Sequence, residues 1–119
     1  MLEQVDALEA EYAEVEARLA DPEVIGDPDR LRDAGRRFKK LNEMIAVGRP
    51  LREAYGDLEA AHELVELADG PERDQFRLEV GSLELEIDRL EEELRGLLLP
   101  ADPNDGRPVI LEVRGAEGG

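Results

Sequence analysis

His62 is the only histidine in the 119-residue chain, and Glu59, Glu63 and Glu66 lie within about one helical turn of it. An imidazole beside carboxylates at that spacing is the raw material for a nitrogen and oxygen metal site or for a general base. Neighbours of the right type do not make a site, and a solvated histidine on a carboxylate-rich helix accounts for the same spacing. The clusters Glu91-Glu92-Glu93 and Glu9/Glu11 pose a similar question. Acid/base catalysis needs carboxylates in a cleft whose environment drives their pKa values apart, and exposed helix glutamates lack one. The expected role of these glutamates is solubility, and no catalytic, metal-binding or cofactor-binding residue is assigned; the chain is not expected to be an enzyme.

Positive charge is concentrated in one place. Arg30, Arg32, Arg36, Arg37, Lys39 and Lys40 fall within eleven positions of a chain that has 31 Asp and Glu against 15 Lys and Arg, a net charge of −16. Averaged over the surface, that charge repels a phosphate backbone and argues against general nucleic-acid binding. The local basic strip has two readings: neutralisation by glutamates of neighbouring helices, or contact with an RNA phosphate backbone or an acidic protein. The glycines from Gly115 to Gly119 are not a phosphate loop, because neither G-x-G-x-x-G nor a G-K-[ST] ending is present.

These residues need elements to hold them. Hydrophobic residues make up 41% of the chain but aromatic ones only 3%, the palette of helix packing on helix. Cysteine is absent, which removes thiolate sites and disulfides and fits a reducing compartment. The apolar runs are too short for a spanning helix or signal peptide, so a cytoplasmic protein without membrane contact is expected.

Leu2, Val5, Leu8, Tyr12, Val15 and Leu19 recur at steps of three and four and predict a first amphipathic helix. It should end at Asp21-Pro22, with a short loop through Gly26 to a new start at Asp27, a plausible N-cap with Pro28 at the first helical position. The stripe Leu31, Ala34, Phe38, Leu41, Ile45 resumes across Pro50 as Leu51, Ala54, Leu58, Ala61, Val65. Its preserved register favours one long helix bent at Pro50, about 60 Å at roughly 1.5 Å per residue, over two separate helices. After the break at Asp69-Gly70-Pro71, Phe76, Val80, Leu83, Ile87, Leu90, Leu94 and Leu97 alternate in fours and threes, a coiled-coil-like stripe that folds back on the long helix. The predicted fold is all-α: a long antiparallel helical hairpin plus a short N-terminal helix, a three-helix bundle over 1–99. A proline, glycine and aspartate linker over 100–108 and an orphan β-strand within 109–119 then suggest a fragment whose next domain supplies the missing strands.

Leu97-Leu98-Leu99-Pro100-Ala101-Asp102-Pro103-Asn104-Asp105, followed by Val109-Ile110-Leu111-Glu112-Val113-Arg114 and Gly118-Gly119, resembles the junction between helical and central domains in bacterial class I peptide chain release factors. The Leu-Leu-Leu-Pro-x-Asp-Pro wording points to the type reading UAA and UAG rather than its UGA-reading sister, and the upstream helices fit in a generic way. One departure is Gly115-Ala116-Glu117, where many members have Ala-Gly-Thr. The resemblance implies a factor that enters the ribosomal A site and promotes peptidyl-tRNA hydrolysis through a Gly-Gly-Gln loop and a codon-reading tripeptide. Neither motif occurs here, so the stop codon and peptidyl-tRNA would be met only through other domains. For this domain the resemblance implies docking near the large-subunit stalk base and GTPase-associated region, and on the GTPase class II release factor. Competing readings are a free-standing acidic coiled-coil adaptor, disfavoured by the linker and strand, and the N-terminal part of a ribosome-rescue factor.

Overall fold

A computed structural model describes residues 1–100, and the predicted linker beyond Pro100 and the predicted strand lie outside the described residues. Four helices follow one another: α1 (Leu2–Leu19), α2 (Pro22–Ile25), α3 (Pro28–Leu67) and α4 (Gly70–Leu98). No strand occurs among the described residues.

The expected loop between the first two long helices contains a turn of helix. Asp21 ends α1 and at once caps α2, its carboxylate accepting a hydrogen bond from the Glu23 N–H at 2.9 Å with Pro22 at the first helical position. Val24 of this turn is buried, which is what holds it down. The same device starts α3, where the Asp27 carboxylate accepts from the N–H groups of Asp29 at 3.1 Å and Arg30 at 3.3 Å.

α3 runs unbroken through Pro50, so the single long helix is the correct alternative. Proline removes the N–H that would bond the Ala46 carbonyl. Pro50 itself is exposed, while its neighbours Val47 and Leu51 are buried, and packing on both sides holds the helix together. At roughly 1.5 Å per residue its 40 residues span about 60 Å.

This helix is the spine. α4 returns antiparallel along it, bringing Arg73 to Ala68 at the turn and Glu91 to Tyr55 further back. α1 lies antiparallel on another face of α3, with Asp6 at Arg52, Glu9 at Arg49 and Glu11 at Arg37. No Cα of α1 approaches one of α4 within 8 Å, so both helices are organised by α3 rather than by each other. The core sits where their footprints overlap: Val5, Leu8 and Val15 of α1, Leu41, Met44, Ile45, Val47 and Leu51 of α3, and Ile87, Leu90 and Leu94 of α4. Leu41, Leu51 and Leu94 are fully buried, each contributing about 1.5–3 kcal/mol by removal from water. Towards the hairpin turn burial thins to Ala61 and Ala68, and Leu67 and Leu78 face solvent.

At that turn Gly70 adopts φ +58°, the left-handed region that a side chain resists. Arg73 then reaches back, its Nε–H donating to the Ala68 carbonyl at 2.8 Å and the Val65 carbonyl at 3.2 Å. It satisfies terminal carbonyls of α3 that have no helical partner of their own.

Candidate functional site

Two surfaces of α3 carry the residues singled out in the sequence, and they differ in sign. The first begins beneath α1. Arg37 forms a two-pronged bond with Glu11, Nε and Nη2 each donating at 2.6 Å, and Arg49 does the same with Glu9 at 2.8 and 2.9 Å. Arg52 pairs with Asp6. Tyr12 stacks on Phe38 with ring centroids 4.9 Å apart, and the Arg49 guanidinium lies 5.6 Å from the Tyr12 ring. Hydrogen bonds from Arg49 and Arg37 hold the Glu9 and Glu11 carboxyls, respectively, below the ordinary carboxylate value. Glu9 and Glu11 are therefore clasps between helices as well as solubilising charges. The reading of Glu91 also changes: it lies half-buried between the helices, accepts a hydrogen bond from the Tyr55 hydroxyl and pairs with Arg95 at 3.5 Å. That bond to Glu91 raises the Tyr55 pKa above its usual value.

The basic strip is divided by the fold. Arg37 is committed to Glu11, Arg32 pairs with Asp29 at 2.8 Å on its own helix, and Lys40 stands 3.9 Å from Glu43. Arg30, Arg36 and Lys39 are exposed and enter no ion pair among the described residues. Arg37 and Lys40 also line a pocket with Met44 and the end of α4, Leu97 to Pro100. There α3 cations lie beside a helix C-terminus, an arrangement favoured by the helix dipole. Arg49 and Arg52 escaped the sequence reading because they stand outside the dense cluster. The available signal was their spacing with Gly48 on the stripe that faces α1.

The second surface continues that stripe. Beyond Arg52 the positions Tyr55, Glu59, His62 and Glu66 follow at steps of three and four, and the face α1 occupies further back is bare. A groove of about 620 Å³ opens here, lined by Leu2 at the start of α1 and by Arg52, Tyr55, Leu58, Glu59, His62, Glu63 and Glu66 of α3. His62 is exposed on it. Among the described residues no group of three or more His, Asp or Glu side chains is arranged to hold a metal ion, and no helix is long and apolar enough to cross a membrane.

The described residues thus form a long helical hairpin clasped by a short acidic helix, with a cationic and a carboxylate-lined face along α3. The chain belongs to the PCRF domain family, whose model matches residues 8–119. Among curated relatives, the chain is 46% identical over 115 residues, 97% of its length, to peptide chain release factor 1 of Mycobacterium sp. (strain KMS). It is 44% identical over 119 residues, its whole length, to peptide chain release factor 1 of Acidothermus cellulolyticus, and 42% identical over 118 residues to that of Mycolicibacterium paratuberculosis. These matches cover 31%, 31% and 32% of the respective relatives, so the chain spans about a third of their length. No solved structure matches.

Proposed function

We propose that this chain is the N-terminal helical domain of a translation termination factor that directs peptide release at UAA and UAG codons. In this reading the domain is a docking module for the ribosome and for the GTPase class II release factor, and is itself not an enzyme. The observation that carries it is identity of 42–46% over nearly the whole chain to proteins named peptide chain release factor 1. The UAA/UAG assignment draws its support from the Leu97-to-Pro103 wording, and cytoplasmic location follows from work on the ribosome. The fold supports a docking role, since a braced hairpin about 60 Å long holds its exposed faces in fixed relation. Arg30, Arg36 and Lys39 are the cations of the strip available to ribosomal RNA or an acidic protein near the stalk base and GTPase-associated region.

The test is a peptide-release assay on stop-programmed ribosomes with the intact factor, the factor lacking residues 1–99, and this chain alone, each with and without the GTPase. Expected outcomes are release by the truncated factor with loss of its response to the GTPase, and no release by the isolated chain. Release by the chain alone, or no effect of the deletion, overturns the reading. Charge reversal at Arg30, Arg36 and Lys39 in the intact factor should weaken ribosome affinity, whereas unchanged affinity and recycling reduce the strip to a solvated face.

A further inference from the structure

We infer that the groove bounded by Leu2, Tyr55, Leu58 and His62 is a docking site for a basic amphipathic helix of a partner protein. The argument rests on a change of sign along one face of α3. Where α1 sits, that face presents Arg37, Arg49 and Arg52, and the occupant supplies Glu11, Glu9 and Asp6. Past Arg52 the face presents Glu59, Glu63 and Glu66, and none of the three enters any ion pair among the described residues. α1 shows that this face seats a helix. The segment beyond it keeps the trough but reverses the charge its occupant must bring.

Geometry sets the size of that occupant. Residues 55 to 66 cover about 17 Å at roughly 1.5 Å per residue, room for a helix of three turns or so. Tyr55 and Leu58 are half-buried and offer apolar contact on the floor, while the carboxylates stand where Lys or Arg at positions three and four apart would meet them. A nucleic acid is repelled by three unpaired carboxylates, and so is a second copy of a chain carrying −16. Arg30 to Lys40 lie some two dozen residues away along α3, on the order of 35 Å, so this site is separate from the cationic strip and its test reads binding rather than termination.

The experiment uses a fluorescein-labelled 14-residue peptide with Leu on one helical face and Lys and Arg on the other, titrated with the 119-residue chain in an anisotropy assay at low and moderate salt. NMR shifts on the labelled chain locate the contact. Binding should perturb Leu2, Tyr55, Leu58 and His62, fall steeply with salt, and weaken at least tenfold in E59K/E63K/E66K, whose exposed positions leave the fold intact by circular dichroism. A matched peptide with Glu in place of the cations should not bind. Equal binding to wild type and the triple variant, shifts confined to another face, or saturable self-association through the groove in place of peptide binding would each overturn the inference.

Discussion

Val5 of α1 lies so close to Gly48 of α3 that a Cβ added at position 48 would come within 3.3 Å of Val5 Cγ1. The glycine here is a matter of approach distance, since it sits inside a regular helix where alanine is intrinsically better by about 1 kcal/mol. Replacing Gly48 with leucine forces α1 away from its seat. G48L should lower stability by about 1–3 kcal/mol in urea unfolding, the usual cost of overpacking a core. G35A, at a helical position with nothing within 4 Å, should raise it by about 0.5–1 kcal/mol. Equal effects at both positions would show that the close approach does not matter.

The clasps at Glu9 and Glu11 make α1 acid-sensitive. Their folded pKa values are depressed, by hydrogen bonds from Arg49 and Arg37 respectively, from an ordinary value of 4.5. A depressed carboxylate contributes stability that is fully present above its unfolded value and is lost as pH falls through the folded one. Thermal melts from pH 7 to pH 3 should therefore show a steeper loss below about pH 5 for the native chain than for E9Q/E11Q. Superimposable pH slopes would remove these two residues from the account.

A third expectation concerns the turn. At φ +58° Gly70 occupies a conformation that costs an ordinary side chain about 1 kcal/mol or more. G70A should lower the unfolding midpoint accordingly, although open space surrounds that position and no clash is introduced. Loss of stability without a clash identifies backbone conformation as the cause, and a neutral G70A would contradict it.

Arg73 ties the two arms of the hairpin at the same end. R73A removes two hydrogen bonds to the carbonyls of Val65 and Ala68 and should cost about 1 kcal/mol. The effect should be local, with faster amide hydrogen exchange over 64–73 and little change near Leu41 or Leu51. Uniform acceleration across all helices would instead mean that the hairpin tip and the core unfold as one unit.

Much of the fold could be read from the order of residues because each long helix carries an unbroken apolar stripe. Val5, Leu8, Val15, Leu41, Ile45, Leu51, Ile87, Leu90 and Leu94 all lie on those stripes and are buried. α2 escaped notice because four residues hold no periodicity, and only Val24 marks the turn. Met44 and Val47 were missed for a different reason: α3 is covered by α1 on one face and α4 on another, so its buried sector is wider than any single stripe. The site was less legible still. The cluster around His62 has the residue types of a ligand set, but its place in a groove depends on how α1 lies along α3, which no local pattern states. Likewise, which cations of the 30–40 strip are already spoken for depends on Glu11, twenty-six positions from Arg37.

Pro50 leaves the long helix short of one rung in its middle, and the salt bridges of α1 fall on both sides of the gap, Glu9 to Arg49 and Asp6 to Arg52. Mechanically α1 is a splint laid across the weakest cross-section of a beam. α4 passes the same section on another face, from the Tyr55–Glu91 bond on one side of Pro50 to Leu97 beside Arg37 and Lys40 on the other, so the rod is splinted twice at its one missing rung.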